Sequence, residues 1–358
     1  MVGDSIIAEI YRSRSMKHHP DQAADLTAFT YFKDVSGLIY YASGDNSLDN
    51  DTVRSVLVYA PTDDRNAARF QPESDTAYTK AVSHGYRSEL PRLRESLSSE
   101  QYGIVADMFE QDAGTGDEFL AVPSQRIAEV YNPKAALQAL AEGHNPAYSS
   151  EAADRAQEAI GIFERSGIQA DRLGLYGGLQ CSLVHTDGKE INDVDVLIDG
   201  LNAYDQAVDL ARGNTVDPRT FPGFIASHAV KRAVAIRRGQ LSQFRLPEHP
   251  DTTVDIRLVR TPEDGHEVAT MLTRPTLGEV VTITSATVVD AHESLSVPAR
   301  YKLQTPEGQA WSVVTDQYHH LGAAGEGDVV SVYGRAASVG VIALTEPDRH
   351  HIYMPALS

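Results

Sequence analysis

The sequence predicts an α+β fold in three parts, and three observations carry that expectation. Over 1–148, apolar runs of strand length are cut by Asp-, Asn- and Gly-rich turns. Over 149–274, amphipathic helical stretches alternate with apolar strands, as a mixed sheet with helices requires. Over 275–358, about five strand-like runs occur with no strong helix, which suggests a small barrel of the OB kind. The length, 358 residues, suits two to three domains of roughly 100–200 residues each.

In the first part the strand candidates are Gly37–Ser43, Arg54–Ala60 and Glu118–Val122. Helices are expected over Ser88–Leu97 and Pro133–Ala141, where Pro133 sits in the first turn and its missing N–H costs little. In the second part Glu151–Ser166 puts Ala152, Ala156, Ala159, Ile160 and Phe163 on one face, with Ser149 or Ser150 as N-cap and Gly167 as stop. A strand at Leu173–Tyr176, a Gly pair, a short helix at Leu179–Val184 and a polar loop follow. Then come a strand at Val194–Ile198, helices near Asn202–Ala211 and Ile225–Gly239, and a strand at Thr253–Val259. The last part offers Val280–Thr284, Arg300–Gln304, Ala310–Thr315, Val329–Tyr333 and Val339–Leu344.

Composition narrows the function classes. Hydrophobic residues at 42% and charged residues at 23% exclude a disordered tail, a collagen and a membrane channel. The apolar runs Leu38–Ser43 and Val53–Ala60 fall short of the ~18–20 residues of a spanning helix. The N-terminus carries Asp4 and no long apolar core, so it does not read as a secretory signal. One cysteine, Cys181, leaves no internal disulfide and reads as a small core residue. The expectation is a soluble cytoplasmic protein with no membrane partner. The net charge of -19 repels nucleic acid unless basic residues gather locally. Histidines come as adjacent pairs, such as His18 and His19, which share neither a helix face nor a strand face and chelate poorly. No HExxH, CxxC, P-loop or GxGxxG pattern is present.

The stretch 173–200 carries the chemistry. A strand enters a turn at Gly177 and Gly178, where a helix start would offer backbone N–H groups to an anion and Gly would let a phosphate approach. Asp193 and Asp195 stand at i and i+2 of an apolar strand, so alternation puts both carboxylates on one face. Neighbouring carboxylates repel each other, and a divalent cation relieves the repulsion; Mg²⁺ prefers oxygen ligands. Asp255 lies in another apolar strand, and if the strands are neighbours three carboxylates converge, the ligand set of a two-metal phosphoryl-transfer site. Lys231 and Arg238, on the basic helix, are candidates for the triphosphate, with Arg245 behind them; a solvated face is the alternative.

These residues resemble the nucleotidyltransferase superfamily that includes DNA polymerase beta. The match is Tyr176-Gly177-Gly178, then Asp193-Val194-Asp195-Val196, with Asp255 as the later acid. The chain is also similar, along nearly its whole length, to a family of predicted nucleotidyltransferases found largely in archaea; the similar pieces include 36–45, 53–61, 122–137, 286–303 and 327–336. The resemblance implies a nucleotidyltransferase domain over 149–274. There Asp193 and Asp195 would bind Mg²⁺, or Mn²⁺ in its place, together with the triphosphate. Asp255 would activate the attacking hydroxyl or serve as a further metal ligand, and Gly177 and Gly178 would contact the nucleotide. The expected reaction moves an NMP from an NTP to a hydroxyl with release of pyrophosphate. A nucleic-acid end, a protein hydroxyl and a small molecule all remain open as acceptors. The alternative is a module that senses a nucleotide or binds nucleic acid without turnover. If the barrel binds nucleic acid, Tyr301, Trp311, Tyr318 or Tyr333 would supply the stacking rings, or else fill its core.

Overall fold

The computed structural model describes residues 26–43, 51–63, 70–71, 76–81, 87, 90–111, 118–144, 148–185, 193–203, 206–207, 243–260, 268, 271–272, 278–316, 320–345 and 350–353. The chain divides into two units. One comprises Met1–Gln111, Asp117–Gln157 and Gly174–Ile191; the other comprises Asp112–Gly116, Glu158–Leu173 and Asn192–Ser358. The fold is mixed α and β, rich in strands, with few helices among the described residues.

The first unit is built on antiparallel strands. β1 (Tyr31–Asp34) and β2 (Ile39–Ala42) form a hairpin. Its turn is fixed by Asp34, whose carboxylate accepts from the Ser36 and Leu38 amides and from Arg126 Nη2. Gly37 supplies the positive φ, +83°, that the turn demands. β3 (Thr52–Pro61), β4 (Phe70–Gln71) and β5 (Tyr78–Lys80) extend the sheet. α1 (Ser99–Ala106) follows, opened by a capping box between Ser98 and Gln101. β6 (Phe109–Gln111), β7 (Glu118–Pro123) and β8 (Ile127–Tyr131) come next. α2 (Pro133–Ala141) is capped by Asn132, whose side chain accepts from the Lys134 and Ala135 amides. After α3 (Ser150–Arg165) and β9 (Leu173–Leu175), β10 (Val184–His185) pairs with β4. The sheet order is β10-β4-β5-β3-β2-β1-β8, with β7 on β3 and β6 on β7. Phe32, Leu38, Tyr40, Leu57, Leu93 and Leu120 centre its core.

The second unit holds a small mixed sheet and a barrel. In the sheet, β11 (Asp193–Asp199) runs parallel to β13 (Thr253–Val259), and β12 (Gln243–Arg245) lies antiparallel on the other side of β13. One face is apolar: Val194, Val196, Ile198, Val254 and Ile256 are buried there, and Phe244 meets Phe163 of α3 edge-on at 5.7 Å. β14 (Val280–Asp290) begins the barrel. The short β15 (Ser296–Val297) returns to β13 in parallel. β16 (Ala299–Gln304), β17 (Ala310–Thr315), β18 (Val329–Ser338) and β19 (Val341–Leu344) complete it, and β20 (His351–Tyr353) adds to β18. The ring runs β14-β16-β17-β19-β18 and closes from β18 back to β14; only β17 and β19 are parallel. Closure leaves no open edge among these five strands. Tyr301 is fully buried inside, its hydroxyl donating to the His320 carbonyl and accepting from the Ala323 amide, so it fills the core and is not a stacking platform. Gly334 is required by space: a Cβ there would stand 2.6 Å from Ile342 Cγ2 and 2.8 Å from the Ala343 carbonyl oxygen.

Two expected helices differ. Of Ser88–Leu97, the structure has one helical turn at Leu90–Leu93. Leu179–Val184 is not a helix but a series of turns running into β10. Leu179, Gln180, Cys181 and Leu183 are all buried, so no solvent-facing stripe exists, and Ser182 sits at φ +55°, outside the helical region. The basic stretch 225–239 lies outside the described residues.

Candidate functional site

The paired acids arise from strand alternation. Along β11 the side chains of Asp193 and Asp195 share the face opposite Val194 and Val196; Asp193 is exposed and Asp195 half-buried. The parallel register sets Asp195 directly beside Asp255 and Asp193 beside Thr253. On the far side of β13, Gln243 stands opposite Asp255 and Arg245 opposite Thr253. Two rows therefore cross the sheet on one face: Asp195–Asp255–Gln243 and Asp193–Thr253–Arg245. Neighbouring strands lie ~4.8 Å apart, so adjacent members of one row are in mutual reach.

A residue that sequence reasoning passed over completes the geometry. Arg257, two positions after Asp255 and on the same face, is buried, with 2% of its side chain exposed. Its guanidinium binds Asp255 through both nitrogens: Nη1 donates to Oδ1 at 2.5 Å and Nη2 to Oδ2 at 2.8 Å. Nη1 also donates to the Ile256 carbonyl, at 2.8 Å. This fork-to-carboxylate contact is the strong, directional form of an ion pair. The signal was present in the sequence as a basic residue at i+2 inside the apolar run TVDIRLV. A charge in a run that hydrophobic needs a partner on its own face, and Asp255 is the carboxylate two positions away.

Asp193 and Asp195 offer carboxylate oxygens on a face open to water, the donor chemistry Mg²⁺ takes. Asp255 fits the same ion only by exchanging its guanidinium partner. Among the described residues no three His, Cys, Asp or Glu side chains are grouped closely enough to hold a metal ion. Asp193 and Asp195 have the donor chemistry for such an ion, and Asp255 is held by Arg257 on its own strand.

The other expected residues are placed as follows. Gly177 takes φ +75°, a conformation that side chains resist, and Gly178 lies beside the Tyr59 hydroxyl, which a Cβ would meet at 3.4 Å. Both belong to the first unit. No regular helix follows them, so the expected helix N-terminus is replaced by turns closed by the Cys181, Ser182 and Leu183 amides. Lys231, Arg238 and Tyr318 lie outside the described residues. Arg245 is exposed and donates to the Pro250 carbonyl at 2.9 Å. Cys181 is buried, and burial pushes its thiol well above the ordinary range, with the Glu129 charge adding to the rise. A thiol held neutral is no nucleophile. Tyr333 is half-buried against His351, whose ring stacks on it at 5.6 Å. No helix among the described residues is long and apolar enough to cross a membrane. No family model, curated protein or solved structure matches the chain.

Proposed function

We propose that the chain is a Mg²⁺-dependent nucleotidyltransferase that moves an NMP from an NTP to a hydroxyl acceptor. The observation that carries the reading is the register that seats Asp195 beside Asp255 on parallel strands, with Asp193 on the same face. The polymerase-like resemblance needs that juxtaposition, and the sequence alone offered it only on condition that the strands be neighbours.

In this reading Asp193 and Asp195 hold the cation. Mg²⁺, when bound, supplies positive charge against the phosphate oxygens and lowers the pKa of a hydroxyl it touches. The acceptor oxygen forms a bond to the α-phosphorus, and the bond from that phosphorus to the bridging α–β oxygen breaks. The electron pair leaves with pyrophosphate, and the hydroxyl proton passes to Asp255. Arg257 orients Asp255 by its two hydrogen bonds. The roles of Gly177, Gly178, Lys231 and Arg238 as nucleotide contacts, and that of Mn²⁺ as a substitute, rest on the resemblance. The C-terminal ring, which we read as OB-like, is a candidate surface for a nucleic-acid acceptor.

The test is the double variant Asp193→Asn, Asp195→Asn. Asn keeps the shape and removes the charge that holds the cation. Purified protein is incubated with each labelled NTP, Mg²⁺ and pools of cellular RNA, protein and small molecules. Wild type is expected to label one pool, and the double variant to label none while its circular dichroism is unchanged. A variant that still transfers label removes these acids from the site. A wild type that Mg²⁺ and NTP stabilise thermally, with no pool labelled, is a nucleotide sensor and not a transferase.

A further inference from the structure

We infer that Gln243 reads the acceptor substrate, and that this acceptor is a vicinal diol such as the one a ribose presents. The inference rests on the transferase reading and narrows its hydroxyl acceptor to one chemical class.

The starting observation is an unspent hydrogen-bond acceptor. Gln243 is 8% exposed, and its side-chain Oε1 is buried with no hydrogen-bond partner among the described residues. Taking a carbonyl out of water without a partner is unfavourable, and a folded chain that keeps one has a use for it. The position of Gln243 points to that use. It lies on β12 directly opposite Asp255, on the polar face of the sheet, while its neighbour Phe244 packs on the apolar face against Phe163. Residues directly opposed on antiparallel strands hold their Cβ atoms about 4.5–5.5 Å apart, so one small ring can touch both side chains. The face is graded. Asp193 and Arg245 are exposed at one end, and Asp255 and Arg257 are 14% and 2% exposed toward the other. Gln243 stands in the row between, behind the exposed one.

The chemistry of this face selects the ligand. Asp193, Asp195 and Asp255 are carboxylates, which draw cations. Gln243 is a neutral acceptor, which adds nothing to that attraction and favours a neutral donor instead. In the proposed reaction Asp255 receives the proton of the attacking hydroxyl. A hydroxyl on the adjoining carbon of the same acceptor then comes within reach of Gln243 and donates to Oε1. Two hydroxyls on adjoining carbons are a vicinal diol. The 3′ end of an RNA and a free nucleoside both carry one.

A purely structural glutamine behaves differently. Its loss lowers the stability of the ligand-free protein and harms every acceptor alike. A reading residue gives up no bond within the protein, so its replacement leaves the fold intact and removes only the discrimination between acceptors.

The probes are two oligoribonucleotides that differ only in a 3′-terminal ribose or 2′-deoxyribose, together with adenosine and 2′-deoxyadenosine. Full-length protein, Mg²⁺ and each labelled NTP are used, and kcat/KM is measured for every acceptor. Wild type is expected to favour the diol of at least one pair by about 100-fold, because a site built around a hydroxyl rejects the analogue that lacks it. The two pairs tell an RNA end from a free sugar. Gln243→Met keeps the length and loses the carbonyl; it is expected to bring the members of that pair within about threefold of each other. Gln243→Glu keeps an acceptor oxygen and is expected to retain a preference of about tenfold or more. Thermal melting without ligand needs no turnover: Gln243→Met should melt no more than about 2 °C below wild type, since no internal hydrogen bond is lost. A Met variant that melts far lower, or that keeps the diol preference, overturns the inference. So does a wild type that uses both members of each pair equally, or that labels only protein hydroxyls; the transferase reading then stands. A wild type that labels no acceptor of any kind overturns the transferase reading and this inference with it.

Discussion

Replacing Glu293 with Gln tests how the barrel is tied to the sheet of its own unit. Glu293 lies between β14 and β15 and receives two arginines. Arg300 Nη2 donates to Oε1 at 2.5 Å, and Arg260 Nη2 donates to Oε2. Arg260 follows β13 directly and is 3% exposed; its Nε donates to the Pro298 carbonyl at 2.8 Å. Losing one partner of a buried ion pair costs about 3–5 kcal/mol, mostly from the charge left behind. Arg300 is 20% exposed and is partly hydrated, and Arg260 keeps its carbonyl. The expected loss therefore falls below that range, to about 2–3 kcal/mol. At ~2–4 °C per kcal/mol for a unit of this size, Tm falls by about 4–12 °C. The pH dependence has a definite sign. Burial pushes the Glu293 carboxyl up, but hydrogen bonds from Arg300 and Arg260 outweigh it and leave its pKa below the ordinary 4.5. A carboxylate with a depressed folded pKa stabilises the fold above its unfolded pKa and loses that contribution as pH falls through the folded value. The Tm gap between wild type and Glu293→Gln is expected to be constant from pH 7 to about 5 and to shrink below about 4. Asp290 is the control. Burial raises its carboxyl, and Lys302 and His292 together lower it below its ordinary range, but the Asp290 and Lys302 side chains are well exposed, so Asp290→Asn should cost under about 0.5 kcal/mol. A Glu293 gap below about 1 kcal/mol, or one unchanged at pH 3, refutes the reasoning.

Gly334→Ala places a methyl 2.6 Å from Ile342 and 2.8 Å from a backbone oxygen, so urea unfolding should show a loss of about 1–3 kcal/mol; an unchanged midpoint would mean the barrel wall yields freely. Cys181 should resist a thiol-disulfide reagent at pH 8 in the native protein and react fully in guanidinium; rapid native reaction would contradict its burial and raised pKa. The acid-pair variant described above should lose every labelled product without losing stability, since removing two neighbouring carboxylates relieves repulsion.

Local chemistry made parts of the fold legible. Pro133–Ala141 was readable because Pro133 suits a first helical turn, and the structure adds Asn132 as its cap. Thr253–Val259 and Ala310–Thr315 were readable as short apolar runs between turn residues. α1 was missed although its capping box, Ser98 with Gln101, was in the sequence. The strand expected at Val280–Thr284 runs on to Asp290, because a register shift between Ile283 and Ala286 interrupts the alternation used to find its end. The nine-stranded sheet order is set by pairings between distant segments, such as β10 with β4, and no local period encodes those.

The acid face shows where alternation stops being enough. Period two placed Asp193 with Asp195, and the parallel register then placed Asp195 with Asp255, so the geometry of the three acids followed from two strands once they were neighbours. Alternation also placed Arg257 on that face, yet a basic residue in an apolar strand was not weighed as a partner. The reason is physical. Strand periodicity says which face a side chain takes, but not how far it reaches back along its own strand. A guanidinium on a long stem spans the ~6–7 Å between i and i+2 with ease, and a buried one must find a carboxylate. In the structure Asp255 is paired with that arginine through both of its carboxylate oxygens.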